Sequence, residues 1–371
     1  MLKAGLRKLK LEAHRVRYGH PRGLVTNEQY RRQHPERWLL AVPREARERR
    51  PPRQAGKDAV DLISNLDPIP ELGVTVVPNG SILGPEGWVF TEDAYFLADN
   101  SWYGQHAEHK LLPRAFPKLR KLRGTCLSLA SDWASVNYAH FMLDCLGRFA
   151  LFEKAGLKLA EVDHVYCSRP PSKTAWQLLE AVGVPIEKCL WNTEAPFVRF
   201  DRVLAPSFPG TRRNYPPWLA EFLRRAAPPA SGRQRRRVYV PRGSVRGILN
   251  EAEIVSIAGE FGVEVYDYRR DPSALEFFPS AELVVGAHGA GLANIAFCKP
   301  SAQLLELFPS DHVFSYYYTL AEASGLGYSY LVGESTGRRA VATFGPSPFD
   351  FRVDPHEFRE ALRLLPSVGV S

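Results

Sequence analysis

The chain has 371 residues, 45% of them hydrophobic, and carries 48 Lys and Arg against 40 Asp and Glu for a formal net charge of +8. Such a length and apolar content allow a sizeable buried core and favour two domains over one, and no run of about 18 apolar residues offers a membrane span. The cysteines Cys126, Cys145, Cys167, Cys189 and Cys298 are odd in number, widely spaced and set mostly in apolar segments, which argues for reduced core thiols over disulfides or a metal cluster, and for a cytosolic compartment.

The excess charge sits at the front. Residues 1–60 hold 16 Lys and Arg against 6 Asp and Glu, leaving the remainder near neutral at 32 against 34. Leu2, Leu6, Leu9 and Leu11 among Lys3, Arg7, Lys8, Lys10 and Arg15 predict an amphipathic basic helix near the start, without the apolar core of a secretory signal. A solvated tail, a contact of residues 1–20 with an anionic membrane surface, and nucleic-acid binding compete for this leader. The last is disfavoured, because the near-neutral remainder offers no second basic patch and no nucleic-acid motif.

A basic proline run, Arg49 to Gln54, separates the leader (1–60) from a first domain expected over 61–230. From Val74 to Asp99, short apolar runs punctuated by Pro78-Asn79-Gly80 and Pro85-Glu86-Gly87 predict hairpins. A strand at Thr125 to Leu129 then leads into Asn137 to Gly156. There Tyr138, Phe141, Met142, Cys145, Phe149 and Phe152 recur at helical spacing as a buried stripe. Asn137, His140, Asp144 and Arg148 form a polar line on one face. His140 and Asp144, at i and i+4, are close enough for the carboxylate to orient the imidazole as a general base. The same spacing fits an exposed face with an Asp144–Arg148 ion pair, and spacing alone leaves both open.

Strands follow at Asp163 to Ser168, Lys188 to Trp191 and Phe197 to Ala205, with a helix at Lys173 to Val182. The Pro- and Arg-rich stretch Pro206 to Arg237 marks a boundary, and a second domain is expected over 231–345. Its first strand, from Val238, ends at Arg242, with Arg246 just beyond. Two guanidiniums at the carboxyl end of a parallel strand lie where α/β sheets bind ligands, although surface cations would read the same way. Asn250 and Glu253 predict a capping box. Glu282 to Phe308 reads as strand, loop, helix, strand, with Gly286, Gly289 and Gly291 around His288. These glycines would let backbone approach an anion at a helix start, but their spacing is neither the dinucleotide fingerprint nor a Walker motif. A helix at Tyr316 to Ala323, a strand at Tyr328 to Val332 and a C-terminal helix within 346–371, capped by Asp354 with Pro355 at its first position, complete the chain.

Taken in order, Asn137-x-x-His140-x-x-x-Asp144, Arg242 with the run Arg246 to Glu253, His288-Gly-Ala-Gly-Leu292 and Leu305-Glu306-Leu-Phe-Pro309 resemble glycosyltransferase family 61. The resemblance covers about residues 125–332. It implies an α/β, GT-B-like fold with two Rossmann-like domains facing a central cleft. It also implies an inverting transferase that moves a sugar from a nucleotide diphosphate donor, expected to be a UDP-sugar, to a glycan or lipid-linked acceptor. Neither cofactor nor metal is expected, and no Asp-x-Asp motif is present to hold a divalent ion. On the donor side the resemblance points to Arg242, Arg246, His288, Gly289, Ala290, Gly291, Leu292 and Glu306, the last for ribose hydroxyls. His140 and Asp144 supply the base, with Asn137 and Arg148 on the acceptor side. The basic leader and the lack of a signal anchor resemble bacterial members that build capsular or other surface polysaccharides, cytoplasmic and peripheral at the membrane. The alternative is a non-catalytic nucleotide-sugar-binding scaffold or sensor on the same fold.

Overall fold

The computed structural model describes residues 9, 13, 21–102, 104, 116–210, 214–229, 235–243, 245–337 and 347–365. The chain forms two compact units, residues 1–45 with 69–211 and residues 46–68 with 212–371. Both are α/β.

The first unit contains two six-stranded sheets. One runs Gly23–Val25, Tyr95–Leu97, Trp88–Phe90, Ser81–Leu83, Phe197–Arg199, Arg120–Lys121. Its centre is the expected hairpin series, with Asn79 at φ 46° where the chain reverses before Ser81, a conformation that Asn tolerates better than most residues. The other runs Cys189–Trp191, His164–Cys167, Thr125–Ser128, Arg202–Pro206, Leu72–Pro78, Trp38–Val42. Its first four strands are parallel. Val77, Ile82, Val89 and Leu97 share a core with Cys126, Tyr166, Val198 and Val203, so both sheets bury apolar faces together. Thr125–Ser128 lies mid-sheet and delivers the chain into the His140 helix.

The second unit is a doubly wound sheet. Its parallel strands lie in the order Glu264–Val265, Arg236–Val240, Ala281–Ala287, Gln303–Pro309, Gly327–Ser335, with Phe351–Arg352 antiparallel at the edge. By chain position the parallel order is second, first, third, fourth, fifth, which places the topological switch between Arg236–Val240 and Ala281–Ala287. Helices cover both faces. Tyr239, Val285, Leu305 and Leu307 pack with Ile254, Ile257, Phe358 and Leu362, while helices Pro217–Ala226, Ala290–Phe297 and Tyr316–Ser324 contact one another on the other side. Burial on both faces explains why the strand at 281–287 reads as a continuous apolar run.

Several local expectations are corrected. Arg49 to Gln54 is no mere separator: Arg53–Gln54 pairs with Gly327–Ser335, and Arg50 Nε donates to the buried Glu322 Oε1 at 2.8 Å. Within the leader, Gly23–Val25, Asn27–Gln33 and Trp38–Val42 are regular elements of the first unit. Residues 1–20 lie outside the described residues apart from 9 and 13. Asn250 does not cap its helix; its Oδ1 accepts from Val353 N at 3.1 Å and its Nδ2 donates to Val353 O at 2.9 Å. A long-range backbone grip has replaced the local cap. The segment Ala290–Phe297 is a 3₁₀ helix, whose poorer hydrogen-bond geometry leaves a weaker anion seat than an α-helix start. No helix among the described residues is long and apolar enough to cross a membrane.

Candidate active site

In the first unit, Asn137 starts the helix. Its Oδ1 accepts from Ala139 N at 3.0 Å and His140 N at 3.4 Å, satisfying two of the backbone donors that a helix start leaves free. Phe141–Cys145 is then a π-helical turn. A wider turn rotates everything beyond it by roughly one residue, about 100°, so the polar line read from sequence is broken after Asp144. His140 Nδ1 lies 2.6 Å from Asp144 Oδ2, with side chains 20% and 1% exposed. Asp144 Oδ1 is buried with no hydrogen-bond partner. The exposed-face alternative therefore fails, because Asp144 serves His140. An imidazole that gives Nδ1–H to a carboxylate keeps its Nε2 lone pair for a proton.

Arg148 is fully buried and donates to the carbonyls of Ala130 and Asn100. It is thus turned into the core and not onto the exposed helix face expected of it. Its charge faces Asp132, which accepts from Trp102 N at 2.7 Å and from Trp88 Nε1 and Ser101 Oγ at 3.0 Å. Burial raises the Asp132 carboxyl, against those donors and Arg148. Trp102 sets its ring edge-on to His140, with centroids 6.0 Å apart. Asp132 and Trp102 escaped sequence reading; the only signal was Ser131-Asp132-Trp133 shortly before Asn137.

In the second unit, Arg242 and His288 follow the two strands that flank the switch point. Arg242 Nη1 donates to His288 O at 2.8 Å, and Arg242 Nε donates to Val245 O at 2.7 Å. Arg246 takes φ 63° and is buried. Its Nη1 donates to Ser347 O at 2.9 Å, and its Nε is buried without a partner. Burial lowers both guanidiniums, and proximity to Arg242 helps bring Arg246 down to about 10. Among the described residues neither forms an ion pair with a carboxylate. Asp350 and Asp311 act on them only from beyond ion-pair distance, and two crowded cations so placed favour an incoming anion.

His288 Nδ1 lies 2.6 Å from Glu306 Oε1, and Tyr328 OH donates to Glu306 Oε2 at 2.7 Å. Glu306 sits fully buried in the middle of its strand, not at its end, so both carboxylate oxygens hold protein groups and neither awaits a ribose. The His288 ring is surrounded by Phe308, His312 and Tyr317, with centroids 5.2 to 5.3 Å away. His312 and Tyr317 were also missed from sequence. The loop glycines face the first strand. A Cβ at Gly286 would meet Val240 O at 2.8 Å, one at Gly291 would meet Val240 Cγ1 at 2.8 Å, and one at Gly289 would land on the Arg242 guanidinium. They first serve close packing between neighbouring strand ends. Gly289, Ala290, Gly291 and Leu292 form the start of the 3₁₀ turn, with Leu292 N donating to Gly289 O at 2.9 Å. Among the described residues no group of three or more His, Cys, Asp or Glu could hold a metal ion.

Residues 138–305 match the family model described as Glycosyltransferase 61. Two relatives are proteins named Protein O-linked-mannose beta-1,4-N-acetylglucosaminyltransferase 2. The one from Takifugu rubripes is 30% identical over 121 residues, covering 30% of this chain and 20% of that protein. The one from Tetraodon nigroviridis is 31% identical over 121 residues, covering 30% and 21%. The chain thus spans about one fifth of the length of these curated relatives. The likeness to glycosyltransferase 61 is thus carried by residues 138–305, somewhat under half of the chain.

Proposed function

We propose that the chain is an inverting, metal-independent glycosyltransferase of GT-B type, with a nucleotide diphosphate sugar, expected to be a UDP-sugar, as donor. Its donor side lies in the unit of residues 46–68 and 212–371 and its acceptor side in that of 1–45 and 69–211, so the boundary expected at 230/231 moves forward to 211/212. The observation that carries this is the pair Arg242 and Arg246, crowded at the switch point and lowered by burial, with no direct ion pair to either among the described residues and, of carboxylates, only the more distant Asp350 and Asp311 opposing that shift. A diphosphate would relieve their mutual repulsion, and in a site of reduced dielectric would be stabilised as it leaves. His288, held by Glu306, would add a donor or a neutral wall beside it.

At the acceptor, His140 Nε2 takes the hydroxyl proton while Asp144 holds the ring through Nδ1. The hydroxyl oxygen forms its bond to the anomeric carbon as the bond from that carbon to the phosphate oxygen breaks. The electron pair departs with the diphosphate, and attack opposite the leaving group inverts the centre. The difference in exposure between the two side chains supports His140 as the base and Asp144 as its positioning partner.

The relatives are named for β-1,4-N-acetylglucosaminyl transfer to O-linked mannose, which supports a glycan acceptor here. A lipid-linked acceptor in surface polysaccharide synthesis, with residues 1–20 resting on the inner face of the membrane, completes the proposal. It would be set aside if removing those residues left sedimentation with anionic vesicles unchanged at low salt.

The test of donor binding is thermal denaturation with UDP, GDP, CMP and their sugars. A ligand at about 100 times its Kd adds about 2.7 kcal/mol, so the correct diphosphate should raise the midpoint by several degrees. Wild type and Arg242→Ala/Arg246→Ala responding alike would sink the donor assignment. A shift with no turnover on any acceptor would indicate the scaffold instead.

A further inference from the structure

Trp133 is 45% exposed and Val136 is 76% exposed, both on the loop between the strand Thr125–Ser128 and the His140 helix. Trp133 also takes φ 67°, the left-handed region that penalises a bulky side chain and persists only where the surroundings dictate it. Here they do. On one side Asp132 is buried and held by Trp102 N, Trp88 Nε1 and Ser101 Oγ. On the other, Trp133 O accepts from Val136 N at 3.0 Å and from Asn137 N at 2.9 Å. Asn137 in turn caps the helix at His140 N. A run of hydrogen bonds therefore links the strained residue to the base, and Asp132 ties in Trp102, whose ring meets His140.

An indole that served only the core would be buried, as Trp88 is. This loop instead spends buried polar contacts and backbone strain to hold an indole in water. We propose that Trp133, flanked by Val136, is a stacking platform for a pyranose ring of the acceptor glycan, beside His140. A pyranose chair presents a face of C–H bonds, slightly positive, that lies flat on the negative face of an aromatic ring. Its hydroxyls point outward at the rim, where one can approach the base. The proposal rests on the transferase reading above and adds the acceptor subsite to it.

The test uses the whole chain and calorimetric titration with mannobiose, chitotriose and cellotriose. Gly and Asn accept positive φ, so Trp133→Gly and Trp133→Asn remove the indole without burdening the backbone, and their melting midpoints should equal or exceed that of the wild type. Wild type should bind at least one probe saturably; both variants should weaken it about tenfold or more, and Trp133→Phe by no more than about threefold. Lack of saturable binding by the wild type to any of the three, or equal Kd values for wild type and Trp133→Gly, would overturn the platform. The diphosphate-linked thermal shift is recorded in parallel. Its absence in the wild type counts against the transferase reading, whereas sugar binding through Trp133 stands or falls on the titrations.

Discussion

Arg242 donates from Nη1 to the carbonyl of His288 at 2.8 Å, so the residues that follow two adjacent parallel strands are bonded across the switch point. Gly289 makes this possible, because a Cβ there would occupy the position of that guanidinium. Gly289→Ala is expected to fold, since the obstructing group is the tip of a flexible side chain, but to push Arg242 off His288. Affinity for the diphosphate should fall about tenfold, in line with loss of a charge-assisted contact. Gly259→Ala is the control: nothing lies within 4 Å of its added Cβ. Being in a helix, it should stabilise by about 0.5–1 kcal/mol and leave affinity alone. Titration of both variants checks the contrast.

Glu306 carries a pH signature. Burial holds its carboxyl well above the ordinary range, opposed by the hydrogen bond from Tyr328. A carboxyl whose native pKa is raised binds its proton more tightly in the fold. Its contribution is fully present below the unfolded value, about 4.3, and is lost as pH rises through the native one. Glu306→Gln removes that dependence. From about pH 4.5 upward, the urea stability of the wild type should decline relative to the variant; parallel curves would mean that His288 neutralises the cost. Tyr328→Phe, which leaves Oε2 buried and unpaired, should cost about 1–3 kcal/mol at neutral pH.

These two sites also mark what the sequence could convey. His140 with Asp144 and His288 with its glycines were legible because each depends on local spacing or on chain chemistry at a strand end. The pairing of His288 with Glu306 was not, since it arises from the register of two parallel strands, in which Gly286 faces Glu306. Arg148 was misread for a different reason: one π turn, which residue type does not announce, rotated it from the helix face into the core. Asn250 had every local mark of a cap, yet the backbone of Val353, more than a hundred residues on, outcompeted the helix start. Short strands such as Arg53–Gln54 carry no pattern of their own, because their partner supplies their order.

Asp132 and Arg148 are both fully buried and act on each other electrostatically without a direct hydrogen bond. Arg148→Met removes a cation that favours the Asp132 carboxylate and should destabilise the fold by less than the about 3–5 kcal/mol that breaking a directly bonded buried pair costs. Asp132→Asn alone should also destabilise, leaving Arg148 held only by the carbonyls of Ala130 and Asn100. The double variant should be less damaged than the two singles added together, by a coupling of about 0.5–3 kcal/mol. A double-mutant cycle in urea measures that coupling. An additive result would mean that the carbonyls, not Asp132, hold the guanidinium.

The sharpest expectation concerns His140. A positioned base is worth about 10²- to 10⁴-fold in rate, and if His140 is the acceptor-side base proposed above, His140→Ala should lose that factor in kcat while retaining the diphosphate-linked thermal shift. Asp144→Asn should separate base from positioner. If Asp144 works only by holding Nδ1–H at 2.6 Å, an amide in its place can present an N–H to the ring and favour the wrong tautomer, so kcat falls while KM for both substrates changes little. If instead Asp144 were the base, His140→Gln would keep much of the activity and Asp144→Asn would keep none. The two variants, assayed across pH with one donor and one acceptor, decide which atom takes the proton.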